Sequence, residues 1–191
     1  MYYITFIILM KPLLINFVGA PSSGKTTISS FTFVKLKTNH LSSELVQEYA
    51  KQLVWSENYE DLSNQWYVSK KQYEMLKSVY GKVDYLVTDS PLILGLHYNR
   101  YHKDNVCNIE KTEKMILSKI SEFNNVYIFL KRNLSLPYEK IGRIHNEQQS
   151  SEIEQNLKLL LDEFNLKYLE ITSDINNIDT ILEYIYSFNA T

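Results

Sequence analysis

Residues 19 to 26 read Gly-Ala-Pro-Ser-Ser-Gly-Lys-Thr, directly after the apolar run Leu13-Leu14-Ile15-Asn16-Phe17-Val18. The octet fits G-x-x-x-x-G-K-[ST] at every position, and few folds can accommodate it. A buried strand must end at Gly19, a tight loop must turn its N–H groups inward, and a helix must open at the far end. Gly19 and Gly24 supply backbone angles closed to other residues. Lys25 offers a mobile cation to the outer phosphates of a nucleotide, and Thr26 offers a hydroxyl to Mg²⁺. Thr26 to Leu36 then continues as a helix with apolar residues at Ile28, Phe31 and Val34. Gly19, Ala20, Pro21, Ser22, Ser23, Gly24, Lys25, Thr26 and Thr27 are therefore expected to hold a nucleoside triphosphate, ATP with Mg²⁺.

The rest of the chain alternates in a way that suits this start. After the first strand and helix comes a short strand around Glu44–Gln47, then a helical region from Glu48 to about Tyr80 that can break near Asn58. Gly81 is a fitting C-terminal stop. Tyr85–Asp89 reads as a buried strand, 109–122 as a helix, and Val126–Leu130 as a fourth strand. Ser151 and Glu154 form a capping-box pattern for a helix ending at Phe164. A fifth strand at Tyr168–Ile171 precedes a last helix over 178–188. Such alternation predicts an α/β fold, a P-loop NTPase three-layer sandwich with a roughly five-stranded parallel sheet and a helical or basic lid. With 191 residues and no linker or repeat, one domain spanning 1–191 is expected.

Composition narrows the classes. A net charge of -2 argues against a protein whose main task is to coat nucleic acid, and the single Cys107 excludes an internal disulfide framework. The apolar stretch Met1–Met10 has no basic start or cleavage pattern and is too short for a bilayer, which needs ~20 residues. It reads as an extra strand or an extension within 1–12, with Met10 as an alternative start. A cytoplasmic location with no membrane attachment is expected.

Ligands of parallel sheets gather at the carboxyl ends of the strands. Glu48 lies just past the second strand, where a carboxylate can take a proton from a substrate hydroxyl; the alternative is an acidic residue favoured by a helix dipole. Asp89 closes the third strand, the place of a Mg²⁺-holding carboxylate, so Thr26 and Asp89 are the candidate metal ligands. No Glu follows Asp89, which argues against a motor ATPase. The basic stretch 131–150 is too long for a plain connection and reads as a lid, with Arg132 and Arg143 able to neutralise a transferred phosphoryl group. A solvated surface loop is the bland alternative. Among the many rings, Trp66 and Tyr73 are assigned to the core, and Trp55 and Tyr59 are the stacking candidates beside an acceptor pocket.

These motifs, with Gln-Glu-Tyr-Ala-Lys at 47–51, Gln65, Thr-Asp-Ser-Pro at 88–91, Val-Tyr-Ile-Phe-Leu at 126–130 and Ile-Gly-Arg at 141–143, resemble a known family. It is the small P-loop kinase-like AAA-type domain of bacteriophage proteins, similar also to the bacterial ribosylnicotinamide kinase domain. The resemblance covers roughly residues 13 to 172. It implies Lys25 and Thr26 on ATP·Mg²⁺, Asp89 by the metal, Glu48 near the acceptor and Arg143 in the lid, with catalysis carried by Lys25, Glu48, Asp89 and Arg143 and the base being Glu48 or Asp89. It also implies phosphoryl transfer to a hydroxyl or phosphate of a nucleoside- or nucleotide-like small molecule, in a host cytoplasm if the chain is phage-encoded. A DNA or RNA hydroxyl as acceptor, and an NTPase switch acting on a protein partner, are the other readings. No base-reading set is spelled out, so the acceptor stays open.

Overall fold

A computed structural model describes residues 11–141 and 144–188. The expected N-terminal strand within 1–12 falls almost wholly outside the described residues, as do Gly142 and Arg143. Five strands form one parallel sheet in the order β2-β3-β1-β4-β5: β1 Leu13–Val18, β2 Ser43–Val46, β3 Tyr85–Thr88, β4 Asn125–Lys131 and β5 Tyr168–Thr172. The central strand β1 is buried at every residue, which is why its sequence is a continuous apolar run rather than an alternation.

Alternate β1 residues feed two cores. Leu13, Ile15 and Phe17 pack with helices α1 (Lys25–Thr38) and α8 (Ile178–Ser187) through Ile28, Leu36, Ile181 and Ile185. Leu14 and Val18 point to the other face, covered by α4 (Gln65–Val79), α5 (Leu92–Tyr101), α6 (Ile109–Ile120) and α7 (Glu147–Glu163). Helices on both faces of a parallel sheet make the expected three-layer sandwich. No helix among the described residues is long and apolar enough to cross a membrane.

Several boundaries differ from the sequence expectation, each for a local reason. The long helical region 48–80 is three helices, α2 (Tyr49–Trp55), α3 (Tyr59–Ser63) and α4. Two asparagines interrupt it: Asn58 accepts from the Asp61 N–H and Asn64 from the Tyr67 N–H, each starting a new helix. Gly81 takes the left-handed conformation expected of a helix stop, with φ 86°. Helix α5 was not anticipated, because Leu92-Ile93-Leu94-Gly95-Leu96 is apolar on all sides and carries no amphipathic period; five residues of its first half and beyond, Leu92 to Leu94, Leu96 and His97, are buried.

Helix α7 begins a turn earlier than Ser151. Its capping box is Asn146 with Gln149: Asn146 Oδ1 accepts from the Gln149 N–H, and Gln149 Oε1 accepts from the Asn146 N–H. Asn146, not Ser151, caps the helix, and it sets the end of the lid. Replacing fully buried Phe17 by Ala should destabilise the domain by about 3–5 kcal/mol, read as a lowered denaturant midpoint with unchanged slope.

Candidate functional site

Every strand of the sheet delivers a segment to its carboxyl edge. At the end of β1 the loop 19–24 closes tightly over itself. A Cβ on Gly19 would lie 2.5 Å from Ser23 Oγ and 2.8 Å from the Leu130 carbonyl. Gly24, with φ +82°, caps α1, and a Cβ there would lie 2.1 Å from Ser173 Oγ. Both positions therefore require glycine, for space and, at Gly24, also for conformation. Lys25 Nζ donates to the carbonyls of Gly19 (2.7 Å) and Ala20 (2.9 Å), so its ammonium lies over the loop. Ser22 to Thr27, with Glu48 and Lys51, line a polar recess of about 360 Å³, open mouth included. The first turn of α1 brings its positive dipole end to the same recess.

Asp89 follows β3 directly, 3% exposed. Thr26 Oγ1 donates to its Oδ2 at 2.6 Å, while its Oδ1 is buried with no hydrogen-bond partner. An orphaned carboxylate oxygen beside a hydroxyl fits a small hard cation that takes oxygen ligands and keeps several waters. Thr26 and Asp89 are the residues that would hold it. Among the described residues no three His, Cys, Asp or Glu side chains cluster into a fuller metal cage.

Glu48 is the N-cap residue of α2, and its neighbours on both sides are held by one side chain. Gln72 of α4 accepts from the Tyr49 N–H (2.9 Å) through Oε1 and donates Nε2 to the Gln47 carbonyl (3.3 Å). Glu48 and Lys51 also line a second, larger pocket of about 890 Å³, again counting its mouth. That pocket is walled by apolar residues including Val54, Leu62, Val68 and Leu94, with the buried amides of Gln65 and Gln72 among them. Gln65 is oriented by its Nε2, which donates to the Leu62 carbonyl at 2.8 Å.

The segment 132–146 between β4 and α7 carries no helix or strand among its described residues and lies against both recesses. The Glu139 N–H donates to Ser22 Oγ (2.9 Å), and Ser150 Oγ donates to the Pro21 carbonyl (2.6 Å). Ile144 and His145 wall the apolar pocket. Arg132 is placed differently from the expectation that it faces the nucleotide. It is paired with Glu147, donates to the Leu136 carbonyl at 3.2 Å, and lies 5.3 Å from the Tyr138 ring. Arg132 thus anchors the base of the lid.

The rings also sort differently. Trp55 and Tyr59 are 61% and 55% exposed and do not line the pocket; the rings that do are Tyr98, His102 and His145. Tyr73 packs half-buried on Phe123 at the edge of the core, its hydroxyl donating to Glu122, and Trp66 is only half-buried, with Lys111 over its ring. Cys107 supports the start of α4: its sulfur accepts from the Trp66 N–H and donates to Oδ1 of Asn64, the cap of that helix. Sequence reasoning missed Lys51 and Gln72. Lys51 could have been found from its place three residues after Glu48. Gln72 had no local signal, because its role depends on a contact across 23 residues of chain.

Three histidines meet where α5 faces the lid. Burial, and then the nearby His145, push His97 down to about 4. Burial and His102 hold His145 below its usual value, and burial lowers His102 as well. Burial shifts all three toward the neutral form, the state that a poorly solvated imidazole prefers.

These features place the chain in a family. It belongs to the AAA domain family, whose model matches residues 14–177, and its fold is that of a P-loop kinase-like domain. No curated protein matches it significantly. Among solved structures, a NadR protein in complex with NAD and AMP-PNP superposes with a TM-score of 0.65 at 15% identity, over 95% of this chain. The chain spans half the length of that protein, covering 50% of it. A deoxyadenosine kinase from M. mycoides with dCMP and dCDP bound gives 0.60 at 17% identity, covering 91% of this chain and 99% of the other. The YorR protein of Bacillus subtilis in complex with phosphorylated GDP gives 0.57 at 13% identity, covering 91% and 95%.

The histidine values carry a sign. In the unfolded chain His97 titrates near 6.5 and in the fold near 4, so between those values the unfolded state binds more protons. Stability should be complete above about pH 6.5 and be lost as pH falls toward 4. Melting curves across that window should show the loss, and His97→Phe should make it shallower.

Proposed function

We propose that the chain is an ATP-dependent phosphotransferase acting on a hydroxyl or phosphate of a nucleoside- or nucleotide-like small molecule. One observation carries the reading: the polar recess of the phosphate loop and the mostly apolar pocket meet at Glu48. A donor phosphate chain and an acceptor can therefore face each other across one carboxylate. A pocket with mostly apolar walls and buried amides suits a heterocycle of small size, whereas a polynucleotide asks for a basic groove. The kinase-like neighbours in fold space support the same class without fixing the acceptor.

Catalysis in this class is mostly positioning and charge neutralisation. Backbone N–H groups of 20–26 cradle the phosphates. Lys25 exchanges its two loop carbonyls for phosphate oxygens once the nucleotide arrives. Thr26 and Asp89 would hold Mg²⁺, and the chemistry it would supply there is Lewis-acid withdrawal of charge from the phosphates. Glu48 receives the proton of the acceptor hydroxyl, and Gln72, holding the chain on either side, fixes where that carboxylate stands. The lid contact from Glu139 to Ser22 ties segment 132–146 to the loop, so that closing over substrate excludes water from the transfer. Arg143, outside the described residues, is proposed to reach the phosphates from this lid.

Lys25→Ala should abolish acceptor-dependent ADP release. Glu48→Gln should leave ATP affinity within about threefold while slowing transfer by about 10²-fold or more. If Glu48→Gln keeps the full rate, Glu48 is not the base. Turnover should also change little between low and moderate salt, since a small acceptor lacks the steep salt dependence of polynucleotide binding.

A further inference from the structure

The polar recess and the apolar pocket share two lining residues, Glu48 and Lys51. Glu48 caps α2 and Lys51 follows in its first turn, three residues on, so both are presented together at the junction. Lys51 differs from the other cations nearby. Lys25 is bound to two loop carbonyls, and Arg132 is paired with Glu147. Lys51 makes no hydrogen bond or ion pair with any of the described residues and is only half-exposed. A partly desolvated ammonium without a partner is costly unless an anion comes to it.

Resting on the phosphotransferase reading above, we propose that Lys51 is a second catalytic cation, one that contacts the equatorial oxygens of the phosphoryl group as it crosses from donor to acceptor. The location decides between this role and the binding of a fixed charge on the acceptor. A group that served only the acceptor would line only the apolar pocket, yet Lys51 also walls the recess formed by Gly24, Lys25, Thr26 and Thr27. In the step itself the acceptor oxygen forms a bond to the γ-phosphorus. The bond from that phosphorus to the bridging oxygen breaks, its electron pair leaves with ADP, and the acceptor's proton passes to Glu48. Lys51 keeps its own protons throughout and stabilises charge that is greatest midway, which is where a preorganised cation accelerates a reaction. Because Gln72 holds the chain at 47 and 49, Glu48 and Lys51 stay in register with each other and with the loop.

The test compares wild type, Lys51→Met and Lys51→Arg, each first shown to melt like wild type. The probes are ATP with Mg²⁺, a pool of unphosphorylated nucleosides and nucleoside monophosphates as acceptors, and a fluorescent ADP with and without aluminium fluoride, a mimic of the phosphoryl group in flight. Lys51→Met should lower kcat by about 10²-fold or more, leave acceptor KM within about threefold, and leave ADP affinity unchanged. It should also lose the tightening of ADP binding by aluminium fluoride, and Lys51→Arg should recover part of both effects. A raised acceptor KM with unchanged kcat would overturn the proposal in favour of acceptor binding, and unchanged kinetics would overturn it outright. If wild type phosphorylates nothing in the pool, the phosphotransferase reading is what fails. The aluminium fluoride readout then still decides Lys51: retained tightening in Lys51→Met counts against it, lost tightening supports it.

Discussion

The site depends on the burial of β1 between β3 and β4. A strand with neighbours on both sides and helices on both faces cannot shift register without moving every side chain to the wrong core. That rigidity fixes where Gly19 begins its turn. It also fixes Asp89, because β3 is registered against β1 residue by residue, from Leu13 with Tyr85 to Asn16 with Thr88. The 2.6 Å hydrogen bond from Thr26 to Asp89 is the consequence: two segments 63 residues apart in sequence are aligned by the sheet before any ligand binds. Preorganisation of this kind is what a reaction governed by positioning requires.

A second layer of support comes from the helical face. Asn64 starts α4, and α4 carries Gln72, which holds the backbone flanking Glu48. The acidic group proposed as the base is therefore positioned by a helix that begins at a single capping residue. The lid is tied down at both ends by comparable means: Arg132 with Glu147 at its base, and Ser150 on the phosphate loop at its far end. Between these ties the Glu139 N–H, donating to Ser22 Oγ, holds it against the recess.

Much of this was legible in the sequence, and the parts that were not have a common cause. The phosphate loop, the parallel alternation, the strand before Asp89 and the five-stranded sheet follow from short-range patterns: a glycine spacing, an apolar run, a period of 3.6 residues. What escaped depended on contacts distant in the chain. Helix α5 was invisible because a segment buried on nearly all sides has no amphipathic signature. The start of α7 at Glu147 was missed because Ser151 and Glu154 imitate a capping box one turn too late. Trp55 and Tyr59 looked like pocket rings from their place in the sequence, but both are largely exposed and neither lines the pocket. The pocket's own rings come from α5 and the lid. Arg132 reads as a free lid cation until its partner Glu147, fifteen residues on, is brought beside it.

The central claim concerns the fate of one phosphoryl group. It is tested most directly by incubating the protein with Mg²⁺ and ATP labelled with heavy oxygen in its γ-phosphate, alongside a pool of nucleosides and nucleotides, and following the label by mass spectrometry. The account predicts that one acceptor of small size gains a phosphoryl group carrying the intact label, in step with ADP formation. Label appearing only in free inorganic phosphate, at a rate indifferent to every acceptor, would contradict it and leave a nucleotide-hydrolysing switch as the better description.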